Sequence, residues 1–319
     1  MGELHGFLIV GPTASGKSDA AQWLAESTGV DVLSADSMLV YRGMDVGTAK
    51  PTSDERRRVH YHGVDLVDPC VDFSVWDYRE HVLGSLRERR RAVGSAWAPV
   101  LVAGGTGLYV KALLEGLRRV PGADEELRRH WTAVWREQGV GPLREALRAV
   151  RPDLLAGLSD PENPRRLIRA LEVAQGGGHE PEPPPVRRAE PAGPLAGLQV
   201  EPEELNRRIE LRARRMYAEG LIEEVRRLQR DWPDGLSRTA GQAIGYAEAA
   251  AVLAGTMRED EAIRRTALRS RQLAKRQRTW FRHQARVVWV QVTARMGPEE
   301  VGREVQNVWR QHGPTPIVE

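Results

Sequence analysis

The sequence predicts an α/β protein: a parallel sheet with helices on both faces, interrupted by an inserted all-helical domain. Three observations carry that prediction. Short apolar β-type runs alternate with helical periodicity in the first third, the pattern of strands joined by crossover helices. The run "GFLIV" passes directly into "GPTASGKS" and then into a helical stretch. From about Arg118 to Ala192 no β-type run occurs, and amphipathic helical segments follow one another.

Taken in order, "GFLIV" is a strand ending at a Gly-rich turn, and "SDAAQWLAEST" is a helix closed near Gly29. "VDVLSAD" is the second strand. Helix resumes at "SVWDYREHVLGSLRERRRAV", entered through Ser74 with Asp77 at capping-box spacing. "APVLVAGGTGLY" is a buried-type strand running into another Gly-rich turn. The helical insertion contains "DEELRRHWTAVWREQ", "GPLREALRAV" and "NPRRLIRALEVAQ", and ends in the Gly/Pro-rich loop "GGGHEPEPPPVRRAEPAGP". The sheet resumes at "LAGLQVE". Helices are expected over Pro202–Arg230, Thr239–Gly255 and Arg258–Arg286, then a late strand "VVWVQV" and a terminal helix. The expected division is a core of 1–117 with 193–319 and an insertion of 118–192.

The bulk composition excludes several classes. A chain of 319 residues with 41% hydrophobic and 29% charged residues can fill a globular core. No run approaches the ~18 apolar residues of a membrane span. "MGELHGFLIV" has no basic n-region, so no secretory signal is expected and a cytoplasmic location is. The single cysteine, Cys70, leaves no internal disulfide framework or multi-cysteine zinc site and reads as a small hydrophobe. A monomer is the expected state.

Net charge is only +3, but its distribution is uneven. Between Arg264 and Arg286 nine cations occur with no Asp or Glu. Arg264, Arg271, Lys275, Arg278 and Arg282 share one helical face, while Ile263, Ala267, Ala274 and Phe281 form a separate apolar stripe. One reading is a solvated helix face; because like charges at helical neighbour spacing repel unless an anion offsets them, the expectation is that at least part of this face meets phosphate or nucleic acid.

The stretch Gly11, Pro12, Thr13, Ala14, Ser15, Gly16, Lys17, Ser18 fits G-x-x-x-x-G-K-[ST], with a strand before and a helix after. That context makes the sheet P-loop NTPase-like. Backbone N–H groups of the turn form an anion nest, Lys17 adds a point charge, and Ser18 is a candidate Mg²⁺ ligand. A phosphate-loop kinase or NTPase also needs a carboxylate at the end of a buried strand. Here "APVLVAGGTG" ends in Gly104–Gly105–Thr106 instead. The acidic residue in the right region is Asp36, closing the second strand. Its alternatives are a loop cap and a proton acceptor facing the phosphate nest, with the Thr106 hydroxyl beside it. Ligands of such sheets sit at the carboxyl ends of strands, so Gly11–Ser18, Ser34–Ser37 and Gly104–Gly107 should converge.

"GPTASGKS", "ADSMLVYRGMDVGTAKP", "HYHGVDLVDP", "VAGGTGLYVKALLEGL", "RRLIRALEV" and "RQLAKRQRTWFR" occur in this order. Together, from about Phe7 to Arg282, they closely resemble the bacterial tRNA dimethylallyltransferases, also called tRNA isopentenylpyrophosphate transferases. The resemblance implies transfer of the dimethylallyl group of dimethylallyl diphosphate to N6 of adenosine 37, 3′ of the anticodon in tRNA, with release of diphosphate. By motif, Asp36 would be the general base, assisted by Thr106, and Lys17 and Ser18 would bind diphosphate with Mg²⁺. Arg128 and Arg212 match family positions near tRNA and diphosphate. Asp36, Ser37, Met38 and Leu39 match tRNA-contacting segments. So do Arg165, Arg166, Leu167, Ile168 and Arg169, and Gln242, Ala243, Ile244, Gly245, Tyr246 and Ala247. The insertion would then clamp the tRNA anticodon stem-loop. Family members commonly carry consecutive histidines where this chain has His60, Tyr61 and His62; His62 is either a structural hydrogen-bonding residue, the expected reading, or a catalyst. Lys50 is either a functional loop residue or half of a surface salt bridge.

Three rival functions have different signatures. An enzyme prenylating free adenine nucleotides would need neither the basic helix nor the insertion. A kinase or NTPase would need the missing strand-end carboxylate. An RNA-binding module without catalysis would leave the phosphate loop and Asp36 unexplained.

Overall fold

The structure is a computed structural model and describes residues 4–94, 99–117, 124–175 and 194–318. It divides into two compact units, Met1–Gly116 with Arg188–Glu319 and, between them in sequence, Leu117–Arg187. The termini of the expected insertion, and its Gly/Pro-rich loop up to residue 193, lie outside the described residues.

The larger unit begins with β1 (Leu4–Val10), α1 (Lys17–Thr28), β2 (Val32–Ser34), α2 (Ser53–Arg58), β3 (Tyr61–His62), α3 (Val75–Val93), β4 (Val100–Gly104) and α4 (Gly107–Glu115). Ser74 and Asp77 form the capping box that their spacing predicts. The smaller unit is α5 (Glu125–Gln138), α6 (Gly141–Val150), α7 (Pro152–Ala156) and α8 (Pro164–Gln175). Leu143, Leu147, Leu167, Ile168 and Leu171 make its own small core. The larger unit resumes with β5 (Leu195–Val200), α9 (Pro202–Ala218), α10 (Leu221–Asp231), α11 (Tyr246–Leu253), α12 (Glu259–Gln284), β6 (Val287–Val292), α13 (Pro298–His312) and β7 (Thr315–Ile317).

The sheet order is β3-β2-β4-β1-β5-β6, parallel throughout, with β7 antiparallel to the start of β1. Alternation along the strands divides the core between the two faces. Leu8 and Val10 of β1 and Val100 and Val102 of β4 pack with α3 and α4. Ile9 and Leu101 point the other way, toward α1 and α13. Both faces are therefore covered, as the continuous apolar runs of β1 and β4 require.

Two expected helices are shorter than their periodicity suggests. Pro202–Arg230 breaks at Gly220, which adopts φ 100° between α9 and α10. In Thr239–Gly255 only a 3₁₀ turn at Ala240–Gln242 precedes Gly245 (φ 100°), and α11 starts at Tyr246. Amphipathic spacing runs through both breaks because both halves face the same core.

Candidate active site

The phosphate loop leaves β1 at Val10 and enters α1 at Lys17 through Gly16 in the left-handed region (φ 88°). Ala14 also takes a left-handed backbone (φ 62°), a strained choice for a residue with a Cβ. The Ser15 hydroxyl is buried with no hydrogen-bond partner among the described residues. Lys17 donates from Nζ to the Pro12 carbonyl at 2.6 Å, closing the loop on itself. Burial lowers its ammonium to about 8; the charge of Asp36 opposes that shift and Arg212 adds to it. Arg212, from α9, is itself lowered by burial, with Asp36 and Asp19 opposing. Two cations, Lys17 and Arg212, and two carboxylates, Asp36 and Asp19, therefore act on one another here.

The ends of β2 and β4 are stapled together beside it. Ala35 donates its amide to the Ala103 carbonyl at 2.8 Å, and Thr106 donates its amide to the Ala35 carbonyl at 3.1 Å. Ser37 donates its amide to the Thr106 hydroxyl at 3.0 Å. Thr106 thus reaches Asp36 through the next residue rather than directly. Asp36 Oδ1 accepts from the Met38 amide at 2.9 Å, an Asx turn, and Oδ2 has no hydrogen-bond partner among the described residues. One oxygen caps the loop, and the other is left for chemistry.

Gly104 is where the two strand ends press closest. A Cβ there would stand 2.2 Å from the Ala35 carbonyl oxygen. Gly104→Ala is expected to lower stability by about 3 kcal/mol, the upper end of overpacking costs, because backbone and not a flexible side chain must give way. Urea unfolding measures it; a loss below about 1 kcal/mol would mean the strand ends part easily.

Sequence reasoning missed Gln277. From α12 its Oε1 accepts from the Thr13 amide at 2.8 Å, and its Nε2 donates to the Gly105 carbonyl at 3.0 Å. It links the phosphate loop to the glycine turn of β4. The signal was present: Ala274, Gln277 and Phe281 fall on one stripe at spacings of three and four, so a polar residue interrupts an apolar face. The loops Gly11–Ser18, Ser34–Ser37 and Gly104–Gly107 do come together.

The basic helix is less unbalanced than its local sequence. Arg264 pairs with Asp260, Arg265 with Glu261, Arg269 with Glu248 and Arg271 with Glu210. Helical neighbours N-terminal to the run and two other helices supply the carboxylates that it lacks. Lys275, Arg276, Arg278, Arg282 and Arg286 have no carboxylate partner among the described residues. The exposed positive surface is therefore the second half of α12 and its exit.

Other expected contact residues are placed unevenly. In the smaller unit Leu167 and Ile168 are buried core, so their side chains present nothing to RNA. Arg128 grips the buried Glu172 at 2.6 and 3.0 Å, and Arg169 joins the same carboxylate at 2.9 Å. Arg165 and Arg166 remain exposed. In the larger unit Ala243 and Tyr246 are buried, while Gln242 and Ala247 are exposed. Lys50 is no surface salt bridge: its ammonium is buried on the Tyr41 carbonyl, Asp45 and Asp65 at 2.6–2.7 Å. His62 is structural, 2.6 Å from Ser85 Oγ and 3.2 Å from Asp31. Asp31, His60 and His62 lie close enough to share a metal, but Arg89 already neutralises Asp31 at 2.6 Å. Cys70 is exposed, not a buried filler.

A phosphate-loop motif on a parallel sheet, beside a strand-end aspartate whose Oδ2 has no hydrogen-bond partner among the described residues, places the chain in the phosphate-loop fold class. Where a phosphate-loop kinase has a strand-end carboxylate, β4 ends in Gly104, followed by Gly105 and Thr106. Within that class the chain belongs to the IPP transferase family, which it matches over residues 39–284; residues 4–64 also match the isopentenyl transferase family. It is 42% identical over 293 residues to the tRNA dimethylallyltransferase of Geobacter metallireducens, covering 89% of this chain and 91% of that one. It is 43% identical over 294 residues to the tRNA dimethylallyltransferase of Geobacter sulfurreducens, covering 90% and 92%. The full-length tRNA isopentenylpyrophosphate transferase of Bacillus halodurans superposes with a TM-score of 0.62 at 35% identity, covering 96% and 97%.

Proposed function

We propose that this chain transfers the dimethylallyl group of dimethylallyl diphosphate to N6 of adenosine 37 in tRNA, releasing diphosphate. The observation that carries this reading is the free oxygen of Asp36 beside a cradle holding Lys17 and Arg212. The N6 lone pair forms a bond to the allylic carbon as the carbon–oxygen bond breaks, and that electron pair leaves on diphosphate. Asp36 takes the N6 proton, and Thr106 holds the turn through Ser37. Lys17, the loop amides and Arg212 stabilise the charge that develops on the leaving oxygens.

The oxygen donors suit Mg²⁺. Ser18 is exposed in the first turn of α1, and its hydroxyl makes no hydrogen bond among the described residues. Ser18 would be the protein's oxygen ligand to this hard cation, which takes oxygen donors. The bound ion supplies charge neutralisation of the donor. For tRNA, Lys275, Arg276, Arg282 and Arg286 offer phosphate contacts, and Arg165 and Arg166 of the helical unit offer further ones. An anticodon-loop base leaves its stack more cheaply than a paired one, which lets it reach Asp36. No helix among the described residues is long and apolar enough to cross a membrane, and a cytoplasmic monomer suits a tRNA substrate.

The test is incubation with labelled dimethylallyl diphosphate and either unmodified tRNA or AMP. Label is expected in tRNA, at an N6-modified adenosine 3′ of the anticodon. Label in AMP alone would select a nucleotide prenyltransferase, and ATP turnover without prenyl transfer would remove both.

A further inference from the structure

Glu224 is a carboxylate 1% exposed and with no cationic partner among the described residues. Its Oε2 accepts from the amides of Asp45 at 2.9 Å and Val46 at 2.7 Å. Its Oε1 accepts from the Gly47 amide at 3.2 Å and the Tyr246 hydroxyl at 2.6 Å. Three successive amides aimed at one anion form a nest, here filled by the protein's own side chain. A buried charge is tolerable only when hydrogen-bonded this fully. Burial and the carboxylate itself push the Tyr246 hydroxyl up, so it stays a donor.

What this nest holds in place lies one residue on. The Thr48 carbonyl accepts from Nη2 of Arg212 at 3.1 Å. Ala49 follows in the left-handed region (φ 51°), and Lys50 anchors the far end on Tyr41, Asp45 and Asp65. A strained turn on a residue with a Cβ persists only where its surroundings over-determine it. Glu224 pins one side of that turn and Lys50 the other, with the Thr48 carbonyl between them. Space at the turn is tight, since a Cβ on Gly47 would stand 2.4 Å from the Tyr246 ring.

We infer that Glu224, through the 45–48 turn, is the positioning residue for the Arg212 guanidinium at the diphosphate cradle. This rests on reading Arg212 as a donor-binding group. Among the described residues Arg212 makes no other hydrogen bond, and the charges of Asp36 and Asp19 attract it without fixing a direction. A main-chain carbonyl supplies the direction, and Glu224 supplies the position of that carbonyl. The sequence hints at this: in "LIEEVRRL", Leu221, Glu224, Val225 and Leu228 share the buried face of α10.

The test is a double-mutant cycle between E224Q and R212A on the full chain, reading inorganic diphosphate affinity by calorimetry and steady-state KM for dimethylallyl diphosphate and for tRNA. E224Q keeps the shape but turns an NH₂ toward amides. It is expected to weaken diphosphate and raise donor KM at least tenfold, leaving tRNA KM within twofold. On the R212A background the same change is expected to have no further effect, because the group it positions is gone. Equal losses on both backgrounds, a parallel loss of tRNA affinity, or a folded E224Q with unchanged donor KM would each overturn the inference. If R212A itself leaves diphosphate affinity intact, the reading of Arg212 fails, which is a separate outcome. Y246F keeps the carboxylate and removes one donor, so it covers the case of an unfolded E224Q. Its smaller rise in donor KM should likewise vanish with R212A, and a rise equal on both backgrounds, or none, counts against the proposal.

Discussion

Asp36→Ala is expected to cut prenyl transfer by on the order of 10³-fold while leaving dimethylallyl diphosphate affinity within about threefold. The first half follows from geometry. Asp36 Oδ2 has no hydrogen-bond partner among the described residues, whereas Oδ1 holds the Met38 amide. An adenine amine is a weak nucleophile that must lose a proton as it attacks, and among the described residues no other carboxylate closes a strand beside the phosphate loop. The second half follows from how the frame is held. The β2 and β4 ends are joined through the Ala35 and Thr106 backbone, which the substitution does not touch. Loss of Asp36 also has two electrostatic effects on the donor that oppose each other. It removes a negative charge facing an anion, and it removes the charge that favours the Lys17 ammonium. Single-turnover transfer with saturating tRNA measures the first prediction and equilibrium donor binding the second. Near-normal transfer by the variant would take the role of base away from Asp36. Asp36→Asn should match the alanine variant, since the amide retains the shape and accepts no proton.

The second large effect concerns Lys17 and has a sign that pH reveals. Lys17→Met is expected to weaken donor binding about 100-fold, the loss of a charge-assisted contact in a water-poor site. In the wild-type protein, donor affinity is expected to be flat between about pH 7, above which the donor phosphate is fully ionised, and about pH 8, and to fall above that. Below its lowered value of about 8 the ammonium is already formed. Above that value the free protein has lost the proton, and binding a polyanion must take one up. The apparent affinity then falls by up to about tenfold per pH unit, until the pH reaches the raised value in the complex. The same shift acts on folding with a definite direction. An unfolded lysine keeps its proton to a higher pH than Lys17 does. Stability attributable to this group therefore rises as the pH climbs from about 8 toward the ordinary lysine value. Lys17→Met should flatten the affinity profile in this window. A slope as steep in the variant as in the wild type would assign the titration to another group.

Legibility varied from residue to residue for physical reasons. The phosphate loop, Asp36 and Thr106 were readable because each follows a continuous apolar strand at its carboxyl end, where short-range pattern determines placement. Gln277 and Glu224 were harder, because each is a polar residue on a buried helical stripe whose partners lie far away in sequence. Their positions mark them as anomalous, but not what they bond. Lys50 sits in a loop without periodicity, and burial there depends on the Tyr41 carbonyl, Asp45 and Asp65 meeting in space. The basic run of α12 was legible only in part. A count along the chain includes neither Glu210 nor Glu248, which come from helices packed beside it.

The sequence by itself determined the parallel sheet, the helical insertion, the phosphate loop and the position of Asp36 at the end of β2. These depend on local periodicity, on Gly placement and on a motif whose backbone makes its own nest. Only the tertiary structure decided which cations are left without a carboxylate among the described residues, that the Thr106 hydroxyl bonds the Ser37 amide, and that the buried Glu224 binds the amides of the turn whose Thr48 carbonyl meets Arg212. Those outcomes depend on charges and hydrogen bonds between segments distant along the chain. Such pairings follow from where the packed faces bring polar groups within about 3 Å of each other, a distance that sequence spacing does not contain.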